Sequence, residues 1–179
     1  YGGSGSYMLC NALKKYGNIT HIHSRKPPDN LEYVGNKKGG NGHGSAGEWF
    51  NGITIPDIEL ENYYVIYIYR NPSLSIRSRF FRASHLKNVE CDESIKIEDV
   101  LNSKKDLYKI REFYDNYIKP NEKRNYKIYC VKFEDIFHKQ DELSKLLGIG
   151  KLNMVNASSR KHDKELDIIY SDLNLFHSS

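Results

Sequence analysis

Residues 2–6 read Gly-Gly-Ser-Gly-Ser and run straight into Met8, Leu9, Ala12, Leu13 and Tyr16 at helical spacing, with Gly17 as a C-cap. Glycine lets a backbone approach a ligand closely and adopt positive φ. A helix N-terminus aims unsatisfied N–H groups and the positive end of its dipole at an anion. Gly3, Ser4, Gly5, Ser6 and Tyr7 are therefore candidates for holding a phosphate-like group, with the Ser4 and Ser6 hydroxyls as extra donors. The pattern Gly-x-x-x-x-Gly-Lys-Ser/Thr is absent, so the lysine that a nucleoside triphosphatase sets on its phosphates is missing. The same stretch also reads as a plain glycine-serine terminus. Phosphate loops follow a buried strand, and this sequence opens inside the motif at Tyr1. The first strand of the sheet is thus expected ahead of Tyr1.

A second group lies in "YIYRNPSLSIRSRFF". Arg70 ends an apolar run, Asn71-Pro72 opens a helix, and Ser78 follows eight residues after the arginine. The C-terminal edge of a parallel sheet is where α/β folds bind ligands, and an arginine there can grip a phosphate with two donors. The bland alternative is a surface ion pair for Arg70 and an exposed Ser78. A third group is "THIHSRK", in which His21 and His23, two apart on an extended segment, share one face.

The elements that must position these residues follow from periodicity. Residues 5–16 read as a helix, 18–24 as a strand, and 35–48 as a long glycine-rich loop anchored by Trp49 and Phe50. "YYVIYIY" (63–69) reads as a strand buried on both faces. Helices are expected after Pro72, over 103–119, over 134–149 and at 163–170, with a strand at 126–133. This alternation predicts one α/β domain over residues 1–179, a mainly parallel sheet flanked by helices. The 179 residues and 39% hydrophobic content suit a single globular domain. A net charge of +4 is too weak to mark nucleic acid as the main partner. No apolar run approaches the ~18 residues of a membrane span, and no signal peptide is visible. Cys10, Cys91 and Cys130 lack metal-ligand spacing and read as reduced thiols of a cytoplasmic protein, Cys10 and Cys130 as core filler.

Three segments together resemble the P-loop sulfotransferases of cytosolic type. "GGSGSYML" is similar to that family's Pro-Lys-Ser-Gly-Thr-Thr-Trp-Leu loop, with Ser4, Gly5, Ser6 and Tyr7 on Ser-Gly-Thr-Thr. "YIYRNPSLSIRSRFF" is similar to its 3′-phosphate segment, with Arg70 and Ser78 on the family's arginine and serine. "YCVKFEDIFHKQDELSKLLGI" is similar to its Lys-Tyr-Glu-Asp-Leu strand end and Leu-Gly-Ile helix. The resemblance spans residues 2–149 and implies a three-layer P-loop fold. It further implies transfer of a sulfonate from 3′-phosphoadenosine-5′-phosphosulfate to a hydroxyl or amine acceptor, without metal. "THIHSRKPP" is similar to the family's Lys-Thr-His-Leu-Pro, whose histidine is the base. His23, nearer the strand's C-terminal end, is the preferred base, and Glu48 is the carbohydrate-enzyme alternative. His43 is a further candidate. The family's loop lysine is Gly3 here, so Arg25 and above all Lys26 are expected to return the charge at the leaving group. Arg160 and Lys161 match the family's Arg-Lys-Gly only in part, since His162 stands at the glycine. The acceptor, a glycan or small molecule, is not readable. A nucleotide-binding member that has lost catalysis and a small P-loop kinase are the alternatives.

Overall fold

The computed structural model describes residues 4–33, 42–43, 52–80, 85–155 and 163–174. Gly3, Glu48, Arg160 and Lys161 lie outside the described residues, as does nearly all of the glycine-rich loop.

The first element is helix α1, Ser6–Leu13. Gly5 precedes it at φ 85°, the left-handed conformation that glycine adopts without steric cost. Strand β1 covers only Thr20–His21 and pairs in parallel with β2, Gly42–His43. The expected strand over 18–24 is thus mostly irregular, for a physical reason. After His21 the backbone bonds to side chains of another element: the Ser24 carbonyl accepts the Tyr117 hydroxyl at 2.7 Å and the Arg25 carbonyl accepts the Asn116 amide at 3.0 Å.

Strand β3, Val65–Tyr69, pairs in parallel with β4, Ile128–Lys132, through the register Val65–Ile128 to Tyr69–Lys132. Pro72 opens α2, Pro72–Arg79, and the Asn71 carboxamide oxygen caps it by accepting from the Ser73 and Leu74 amides. The helix expected over 103–119 is shorter, and a separate helix precedes it. Helix α3, Ile97–Ser103, ends at Lys104 with positive φ, and α4, Ile110–Ile118, begins afresh. Asp106 makes this new start by accepting from the amides of Ile110 and Arg111. The helix expected over 134–149 divides into α5, Phe133–Ile136, and α6, Gln140–Leu146. Helices α7, Lys164–Ile169, and α8, Ser171–Asn174, complete the described chain.

Two apolar clusters cover opposite faces of β3. Tyr67 joins Phe113, Tyr114 and Tyr117 of α4 with Ile76 of α2. Its neighbour Ile68 joins Leu9 and Leu13 of α1, Phe133 and Ile136 of α5 and Leu143 of α6. Successive strand residues point to opposite faces, so β3 is covered on both sides. The chain is a mixed α/β protein with a small parallel sheet. Cys10 is half-buried on α1, and burial raises its thiol pKa against the lowering effect of Lys14. Cys130, expected in the core, is instead exposed on β4, which has β3 as its one ladder neighbour among the described residues. No helix among the described residues is long and apolar enough to cross a membrane.

Candidate functional site

The loop before α1 is built against Phe133. A Cβ on Gly5 would stand 2.3 Å from the Phe133 ring, so the close approach requires glycine as much as the positive φ does. The other side of that contact is Arg70: its guanidinium lies over the same ring at 4.3 Å from the centroid. One aromatic side chain therefore touches both the loop and the arginine at the end of β3. The loop, Arg70 and Phe133 meet because β3 and β4 end in register, Tyr69 opposite Lys132, and Arg70 and Phe133 follow directly.

Ser4 is fully buried, Ser6 half-buried, and Tyr7 exposed at 68%. Ser6 Oγ shares a hydrogen bond with His21 Nε2 at 2.9 Å, which ties the first turn of α1 to β1. His23 is buried, and its ring centroid lies 4.4 Å from that of His21. The two imidazoles do share a side of the segment. His21 is bonded to the first turn of α1 through Ser6.

The Arg70 side chain is buried, with its Nε 3.5 Å from Glu134 Oε1. Both Glu134 carboxylate oxygens are buried and accept no hydrogen bond among the described residues, so charge alone sustains that pairing. Glu134 is a residue that pattern reading passed over. It is the acidic position of "FED", directly after the Phe133 that carries the loop.

The basic residues after β1 divide in role. Arg25 is buried and faces Glu90 at 3.8 Å and Glu112 at 3.6 Å, while its own amide donates to Glu90 at 2.9 Å. It ties the segment to α4 through Glu112. Lys26 is exposed and makes no ion pair among the described residues. Ser78 is half-buried on α2. Beside it in sequence, Arg77 donates through Nε to Asp163 at 2.7 Å. Asp163 follows Lys161 by two residues, so the chain leaving the Arg160–Lys161 segment is tied to the helix that carries Ser78. Ser73, fully buried, donates to Asp167 at 2.6 Å and strengthens the same junction. Among the described residues, no group of three metal-ligating side chains occurs.

The arrangement thus offers an N-terminal helix loop with hydroxyls, an imidazole bonded to it, and an arginine under the same aromatic ring. Such a set can hold an anion, orient it and accept a proton beside it. Comparison with family models, with curated protein sequences and with solved structures gives no match for this chain.

Proposed function

We propose that the chain binds 3′-phosphoadenosine-5′-phosphosulfate and transfers its sulfonate to a hydroxyl or amine acceptor, within a three-layer P-loop fold. The observation that carries the reading is the shared contact of Gly5 and Arg70 with Phe133. It brings the loop suited to a phosphosulfate and the cation suited to a 3′-phosphate to one end of the parallel pair. In this reading Ser4, Gly5 and Ser6 receive the 5′ group, and Arg70 with Ser78 receives the 3′-phosphate.

Arg70 must exchange Glu134 for the nucleotide, and the poorly bonded carboxylate makes that exchange inexpensive. The sulfonate passes in line: the acceptor oxygen or nitrogen forms its bond to sulfur as the bond from sulfur to the bridging phosphate oxygen breaks. The acceptor proton goes to a base. His21 takes that role over His23 because its imidazole is bonded to Ser6 in the first turn of α1. His23 lies against it as the supporting ring. Lys26 is exposed and is the group in "SRK" left to approach the leaving phosphate, since Arg25 is committed to Glu90 and Glu112.

The test is a sulfate-transfer assay over phenols, sugars and amines beside a nucleotide titration. His21→Ala is expected to lower turnover by about 10²–10⁴ with a far smaller change in donor affinity. Full turnover in His21→Ala, with loss in His23→Ala or Glu48→Ala, refutes the assignment of the base. A second reading, nucleotide binding without transfer, is favoured by the commitment of Arg25 to two carboxylates. Wild-type protein that binds the nucleotide while Lys26→Ala changes nothing supports that reading.

A further inference from the structure

A cavity of about 680 Å³ lies where the two apolar clusters meet. Leu9 and Leu13 of α1 line it from one cluster, and Phe113 and Tyr117 of α4 from the other. Protein interiors leave few voids larger than a water, so a space of this size is a site and not a packing fault. Its charge runs against that of the chain. The sequence holds 27 Lys and Arg against 23 Asp and Glu. Among the described residues that line the cavity, none is Lys or Arg, and two are carboxylates, Glu32 and Glu59. His21 is the one side chain among them that can turn positive, and its Nε2 shares a hydrogen bond with Ser6 Oγ.

Glu59 stands in an aromatic corner. The buried Tyr33 donates its hydroxyl to Glu59 Oε2. The Tyr33 and Tyr63 rings meet edge to face, with centroids 6.1 Å apart. The two rings and the carboxylate all line the cavity. Glu32 is engaged elsewhere, accepting from the Gly52 amide at 2.9 Å. From this geometry we propose that the cavity binds an apolar organic cation, an alkyl or aryl chain ending in an ammonium, with the ammonium at Glu59, Tyr33 and Tyr63. The carboxylate supplies the opposite charge, and tyrosine faces attract a cation through the ring quadrupole, as in aromatic cages for quaternary ammonium groups. The Tyr33 hydroxyl holds the carboxylate in place, so binding has less left to order. Leu13, Ile22, Ile55 and Val65 give the tail an apolar bed. A carboxylate ligand would meet Glu59 with like charge, and a neutral one would gain nothing from it.

The experiment is calorimetric titration of the 179-residue chain, without nucleotide, with phenethyltrimethylammonium, phenylpropanol and phenylpropionate. The three share an aryl tail and differ in charge. The quaternary nitrogen carries no proton to exchange for a sulfonate, so the outcome is independent of the proposed transfer. The ammonium is expected to bind about tenfold or more tighter than the alcohol, and the carboxylate more weakly than either. Glu59→Gln keeps an oxygen that can accept from Tyr33 and is expected to bring the ammonium to within about twofold of the alcohol. Tyr63→Leu is expected to narrow the preference as well. A wild type that binds the alcohol as tightly as the ammonium, or binds neither, overturns the inference. So does an ammonium preference that either variant leaves intact.

Discussion

Gly5 carries two demands at once, a φ of 85° and a ring at the place a Cβ would take. Gly148 carries only the first: its φ is 62° and nothing lies within 4 Å of its would-be Cβ. The pair separates backbone strain from contact. Gly148→Ala is expected to cost about 1 kcal/mol and Gly5→Ala about 2–4 kcal/mol, measured by denaturant unfolding. Equal costs would mean that Phe133 yields freely and is no fixed wall for the loop. At this scale the sequence was legible where chemistry is local. The glycine-serine loop and the strand-ending arginine could be picked out by type and spacing. The roles of His21 and Arg25 could not, because they depend on Ser6, Glu90 and Glu112, and the last two are brought near by the fold. No pattern marks an arginine as spent on a carboxylate 65 positions away.

At the scale of elements, α2 and α7 are joined by charge. Burial acts to raise the Asp163 carboxyl pKa, but hydrogen bonds from Arg77 and from the Leu166 amide outweigh it, and the net pKa lies below the usual 3.8. A carboxyl depressed in the folded state contributes stability that is complete above its unfolded pKa and is lost as pH falls through the folded value. Asp163 also caps α7, accepting from the amides of Glu165 and Leu166. Helix α7 is therefore expected to lose exchange protection below about pH 4, before the amides of β3 do. Arg77→Met should shift that loss to higher pH; an unchanged profile would show that the junction rests on Ser73 and Asp167 alone. Buried strands and amphipathic stripes announced β3, β4 and α4. The breaks did not announce themselves. The segment between α3 and α4 has neither glycine nor proline, and its turn depends on Asp106 and on positive φ at Lys104 and Lys109. The segment between α5 and α6 likewise lacks a breaker, and the His138 and Lys139 amides both turn back to the Asp135 carbonyl.

At the scale of the molecule, Gly5 and Arg70 lie 65 positions apart in the chain. What unites them is a third segment, Phe133-Glu134, following β4. The alternation of strands and helices predicted a parallel sheet, and β1–β2 and β3–β4 are both parallel. That residues of β1 and β3 line one cavity could not be read from periodicity, which describes strands singly and not their spacing. The central claim is that this end of the sheet recognises a 3′-phosphate on an adenosine 5′-anion. Calorimetric titration of the wild type and Arg70→Ala with 3′-phosphoadenosine-5′-phosphate and with adenosine 5′-phosphate tests it most directly. The account predicts that the 3′-phosphate tightens wild-type binding by about 30-fold or more, equivalent to about 2 kcal/mol, that Arg70→Ala abolishes the difference, and that Glu134→Gln enlarges it. Equal affinity of the wild type for the two nucleotides, or binding of neither, would contradict it.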